Sequence, residues 1–128
     1  MDLLKLDIVT PKAQIFSGDV KSVTLPGSEG EFGVLPGHAA TISLLKTGVV
    51  DIEKSSSKHD LVAITKGYCE VDERGVTILA DDAVYVGGDE SESEIASSIK
   101  KVERLLEEIK SDPIVVENVI SEIKNIRS

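Results

Sequence analysis

The hydrophobic spacing of this chain changes once, at Gly87-Gly88-Asp89, and that change removes most architectures from consideration. From Leu4 to about Val86 the apolar residues follow a period of two. Leu4, Leu6 and Ile8 alternate with Lys5, Asp7 and Val9, and Val23 and Leu25 alternate with Ser22 and Thr24. Short apolar runs follow at 42–45, 49–52, 61–64, 68–71 and 76–80. Turn signals separate them at Thr47-Gly48, 55–58, Lys66-Gly67 and 72–75. A strand sends successive side chains to opposite faces, so many short strands at such spacing predict an antiparallel sandwich or barrel.

Beyond the glycines the period lengthens. Ile95, Ile99, Val102, Leu105 or Leu106, and Ile109 recur every three or four residues, as one stripe of a helix does. Glu103, Glu107 and Lys110 leave the opposite face charged. Ser111-Asp112-Pro113 then supplies a stop and a new start, with a capping side chain ahead of proline at the first helical position. A second stripe runs through Val116, Val119, Ile120, Ile123 and Ile126. The two stripes are expected to bury each other in an antiparallel hairpin. The second helix is rich in branched side chains, which lose rotamer freedom in a helix. It depends on packing and is a candidate for movement. Residues 1–86 therefore read as one unit and 87–128 as another, with few contacts expected to cross the two glycines.

At 128 residues and 41% apolar, the chain has enough material for one ordinary domain with a small appendage. Its 14 Lys and Arg against 23 Asp and Glu leave a net charge of −9. That balance repels phosphate backbones and anionic lipid heads, which argues against nucleic acid and points to a cationic protein surface. Cys69 has no second cysteine to pair with and sits in an apolar run, where a thiol serves as a small buried hydrophobe. Met1 to Thr10 lacks the charged start and apolar run of a signal peptide, and no stretch approaches a membrane span in length. The expectation is a soluble intracellular protein without direct membrane insertion.

The segment from Leu25 to Ala40 stands out within the first unit. Pro26-Gly27 and Pro36-Gly37 bracket Gly30 and Gly33, and between them lie Glu29, Glu31 and Phe32. Glycine and proline each fix a backbone geometry that other residues resist, so this density reads as a shaped loop. With charge and an aromatic at its tip, the loop is a candidate contact surface.

Motifs that carry chemistry are weak by comparison. There is no GxxxxGK[ST] phosphate loop, and no GxGxxG follows a strand. Lys46-Thr47-Gly48 and Ser55–Lys58 match two penicillin-recognising motifs, but in reversed order; SxxK recurs at Ser97–Lys100 and Ser121–Lys124, which shows how cheap the match is. His38 and His59 lie far apart with no cysteine cluster near them, so no metal site is expected. His59 follows a polar turn and reads as solvated, whereas His38 can reach a backbone carbonyl within the loop or an interface. Asp81 and Asp82 read as turn formers, and Glu90, Glu92 and Glu94 suit the positive end of a helix dipole.

The block Ser17-Gly18, Val20, Ser22-Val23 and the run from Leu25 to Ala39 resembles the characteristic segment of the epsilon subunit of bacterial-type F-type ATP synthases. Residues 46–52 look like that family's next strand pair. Gly67, Glu70-Val71 and residues 76–80 resemble its closing strands, and the likeness covers residues 3 to 84 in order.

The resemblance implies a β-sandwich of about ten strands followed by a C-terminal hairpin of two helices. It implies a non-catalytic rotor subunit of the central stalk, peripheral on the cytoplasmic face of the inner membrane. Such a subunit clamps gamma onto the c-ring during ATP synthesis and ion transport. By analogy Glu29, Glu31 and Phe32 meet the c-ring, while Thr10, His38 and Ser43 face gamma. The hairpin is a candidate inhibitor of ATP hydrolysis through the catalytic beta subunit. Some relatives bind ATP there through (Ile/Leu)-Asp-x-x-Arg-Ala. Here residues 89–95 place Ser93 or Glu94 where the arginine belongs, among three glutamates that repel phosphate, and the second helix has only Lys124 and Arg127 as cations. No cofactor is expected. The competing reading is a stand-alone β-sandwich adaptor or ligand-binding protein.

Overall fold

The computed structural model describes residues 2–88 and 90–127, the last of these by its backbone. Asp89 and the Arg127 side chain, both named above for nucleotide sensing, lie outside the described residues. Ten strands precede two helices: β1 (Leu4–Val9), β2 (Gln14–Val20), β3 (Ser22–Gly27), β4 (Gly30–Val34), β5 (Thr41–Leu45), β6 (Gly48–Glu53), β7 (His59–Ile64), β8 (Gly67–Asp72), β9 (Gly75–Ala80), β10 (Ala83–Val86), α1 (Glu92–Glu108) and α2 (Pro113–Arg127). The expected sandwich and hairpin are both present.

The strands follow the order β10-β7-β6-β3-β5-β8-β9-β1-β2, with β4 on the side of β3. Among the described residues only β1 and β9 run parallel. The sheet folds over where β3 meets β5, joined by one pairing, Gly27 with Leu45. Two layers result. Inward side chains of both, among them Leu6, Ile8, Val23, Leu25, Val50, Ile52, Val62, Ile64 and Ile78, form the sandwich core. Cys69 lies fully buried in it, as expected, and burial pushes its thiol pKa up. At the far edge Phe16 of β2 stacks on Tyr85 of β10, with ring centroids 6.5 Å apart.

The hairpin departs from expectation. Its stripes do not simply bury each other. They pack together on the outer face of the β10-β7-β6 layer, where Val102, Leu106, Val119 and Ile123 meet Val49, Leu61, Ala63 and Val86 in a second apolar cluster. Many contacts therefore cross Gly87-Gly88. Gly88 itself lies so close to β7 that a Cβ would run into the His59 carbonyl oxygen. Its amide donates to Asp60 Oδ1 at 2.8 Å, so it is a packed joint and not a gap in the packing.

The start of α2 follows its sequence signal, and α1 adds a cap that the acidic run did not announce. Ser91 and Glu94 form a reciprocal capping box on α1, with bonds of 3.3 and 3.1 Å. Asp112 Oδ1 accepts the Ile114 amide at 2.8 Å ahead of Pro113. Ile109 falls at the turn and is exposed, outside the stripe it was assigned to.

Candidate partner-binding face

The segment from Leu25 to Ala40 is in large part a β-hairpin. Leu25 pairs with Phe32 and Gly27 with Gly30, which leaves Ser28-Glu29 as the turn. Pro26-Gly27 is strand rather than turn, because the extended backbone brings Phe32 over Gly27. A Cβ there would stand 2.9 Å from the ring. Phe32 is half-buried and packs on the sandwich core, so it supports the hairpin from beneath and is not its tip. Glu29 in the turn and Glu31 on β4 are exposed.

Beside this hairpin runs β5. A cavity of about 320 Å³ opens between the two, lined by Glu29, Phe32, Ile42, Ser43 and Leu44 among others. The structure thus brings Glu29, Phe32 and Ser43 together. His38 lies exposed in the loop before β5, its Nδ1 2.7 Å from the Ala39 carbonyl oxygen, which is the first of the two placements the sequence left open for it. Thr10 is placed apart, on the same layer but three strands from Ser43 by the β5-β8-β9-β1 order. It is 6% exposed, and its hydroxyl accepts the Lys12 and Ala13 amides at 3.3 and 3.2 Å inside its own turn.

Sequence reasoning missed the largest feature of this layer. Leu44 pairs with Tyr68, Tyr68 with Leu79, and Leu79 with Val9. All four point away from the core, so they form one apolar row across four strands, about 14 Å wide at ordinary strand spacing. Leu44 is 68% and Tyr68 42% exposed, and Ile42, two residues before Leu44 on the same face, is 71% exposed. The helices cover the other layer and leave this row open. On β5 the small polar Thr41 and Ser43 turn inward and Ile42 and Leu44 outward, the reverse of the usual assignment. Isolated exposed apolar residues are ordinary, but a contiguous row with charged and polar residues around it marks a contact surface.

The remaining polar groups serve the fold. His59 is half-buried, not solvated, with Nδ1 2.6 Å from Asp51 Oδ1. Asp82 accepts the Ala83 amide at 2.9 Å and meets Lys12 at 3.9 Å. Glu90 accepts the Gly87 amide at 3.0 Å and the Ser98 hydroxyl at 3.2 Å. Among the described residues no His, Cys, Asp and Glu group is arranged to hold a metal, and no helix is long and apolar enough to cross a membrane.

Residues 3–86 match the family model of the ATP synthase, Delta/Epsilon chain, beta-sandwich domain. The ATP synthase epsilon chain of Campylobacter curvus is 56% identical over 126 residues, which is 98% of this chain and 97% of that one. The epsilon chain of Wolinella succinogenes is 54% identical over 125 residues, 98% of this chain and 95% of that one. In fold the chain is similar to a chain of the Euglena gracilis mitochondrial ATP synthase OSCP/F1/c-ring structure. The TM-score is 0.63 at 22% identity, over 96% of this chain and 80% of that one.

Proposed function

Because the chain belongs to the ATP synthase delta/epsilon chain family, we propose that it is a non-catalytic rotor subunit that clamps gamma onto the c-ring. The observation that carries this reading is the open apolar row Val9–Leu79–Tyr68–Leu44, extended by Ile42. Gamma occupies that row, with His38 at one side and the turn closed by Thr10 at the other, whereas Ser43, expected to face gamma, turns to the inner side of β5. Glu29 and Glu31 project from the neighbouring hairpin and meet cationic side chains of the ring, while Phe32 holds the hairpin in place. Acidic groups at a rim steer and orient a partner, whereas the buried apolar centre supplies most of the affinity.

The subunit sits peripherally on the cytoplasmic face of the inner membrane, held there by its partners. The helical hairpin is the element available to regulate ATP hydrolysis, through the catalytic beta subunit, because it packs as a layer with its own apolar cluster. The test of the main reading is copurification of gamma and c-ring with a Leu44→Asp subunit. Leu44 is exposed, so the isolated subunit stays folded. A tenfold to hundredfold loss of gamma binding is expected, about 1–3 kcal/mol. Unchanged binding would place gamma elsewhere.

A further inference from the structure

The face of α2 that docks on the sandwich carries an acid. Glu122 precedes the fully buried Ile123 and is itself half-buried. It lines a cavity of about 280 Å³ with Glu31 of β4, Lys46 and Thr47 of the β5–β6 turn, and Asn118 of its own helix. The charged groups that face it are Glu31, Asp51 of β6 and Lys46. Asp51 in turn holds His59 of β7. Docking therefore brings one carboxylate from water towards two others, with one lysine ammonium to offset them.

We propose that protonation of Glu122 controls how firmly the helical hairpin docks on the sandwich, so that the hairpin is held tightly at low pH and loosens as pH rises. The apolar residues of the two helices share a cluster with Val49, Leu61, Ala63 and Val86 on the outer face of the sheet, and that cluster is separate from the sandwich core, so the hairpin can lift as a unit while that core stays closed. In the docked state, withdrawal from water raises the Glu122 pKa above the ordinary carboxylate value. Glu31 and Asp51 raise it further and Lys46 partly opposes them. Once undocked, Glu122 regains water and an ordinary pKa. The docked state thus binds the proton more tightly. Its contribution is complete below the undocked pKa and is lost as pH rises through the raised docked value.

Hydrogen exchange of the full-length protein between pH 4 and 8, corrected for intrinsic amide exchange rates, tests this. In the wild type the opening constant of α1 and α2 amides should rise severalfold across that range, with sandwich-core amides unmoved. Glu122→Gln should keep the hairpin docked and flatten the rise. Glu31→Gln should move the rise to lower pH, because one of the two facing charges is gone. His59→Asn should retain the rise, since it removes only the imidazole held by Asp51 and leaves Glu122 and the charges around it in place. A wild-type opening constant that ignores pH, or a rise that survives Glu122→Gln, overturns the proposal. If the Gln variant disturbs packing, an NMR titration of the Glu122 carboxyl in the wild type decides. An ordinary or lowered value there would also overturn it.

Discussion

The Tyr85 hydroxyl donates to Asp60 Oδ2 at 2.7 Å, and the other oxygen of the same carboxylate accepts the Gly88 amide at 2.8 Å. Asp60 is 3% exposed and also meets Lys54 at 3.3 Å. One buried carboxylate thereby ties β7, the last strand and the first backbone beyond it into a single joint. A buried charge persists only when it is paired and hydrogen-bonded, and removing such a group leaves its partners unsatisfied.

Asp60→Ala should therefore destabilise the chain by about 3 kcal/mol, measured by urea unfolding, because a hydroxyl, an amide and an ammonium lose their acceptor together. Tyr85→Phe removes one of these bonds and should cost about 1 kcal/mol. Equal losses in the two variants would mean that Asp60 acts through Tyr85 alone.

Phe32→Ala tests whether the aromatic is a contact or a support. Its ring packs on the sandwich core over Gly27, so the isolated subunit should lose about 2–3 kcal/mol of stability. Gly27→Ala, which forces a Cβ against that ring, should destabilise it by about 1–3 kcal/mol. If Phe32→Ala left isolated stability untouched and weakened only assembly, the ring would be the partner anchor after all.

Calorimetry with ATP and magnesium should show no dissociation constant at or below about 10 μM. Glu94 is committed to the α1 capping box and Glu90 to Gly87 and Ser98, so both carboxylates are fixed where a nucleotide phosphate would need cations. Tight binding would mean that the phosphates are held by other groups.

Truncation after Gly88 should leave the sandwich core intact but bare Val49, Leu61, Ala63 and Val86. The shortened chain should bind a hydrophobic dye and unfold at lower urea than the full chain, while Leu61→Thr and Val49→Thr within it reduce dye binding. A truncated chain as stable and dye-silent as the full one would mean that the hairpin contributes nothing to the fold.

Much of the fold was legible because each strand and helix carries its own period. Three strands were hidden for local reasons. β2 has no apolar alternation, with Ile15 and Phe16 adjacent and Gly18 near its middle, Gly30 and Gly33 gave β4 the look of a loop, and β10 is four residues that end at the glycines. The run Leu61–Ile64 showed no alternation because β7 is covered on both faces, by the sandwich core on one side and the helices on the other. That was the sequence signal for helices lying on the sheet. The apolar row across β5, β8, β9 and β1 could not be read in advance. Val9, Tyr68 and Leu79 each look ordinary in their own strand, and only the register places them side by side. Glu122 was illegible for the same reason, since its neighbours Glu31 and Asp51 come from distant strands.

The bare row has a consequence for the life of the unassembled subunit. Strand β5 is tied to β3 at one residue pair, flanked by the Ser28 amide on the Leu44 carbonyl and the Lys46 amide on the Pro26 carbonyl, so the edge before Leu44, beside exposed Ile42, is the part an extended chain can reach. An orphan copy is thus prone to clump and open to surveillance by chaperones and proteases. Its abundance should follow the supply of the subunit that covers it. Soluble yield should rise on co-expression with gamma, and Leu44→Asp should make the orphan more soluble while leaving it nothing to join.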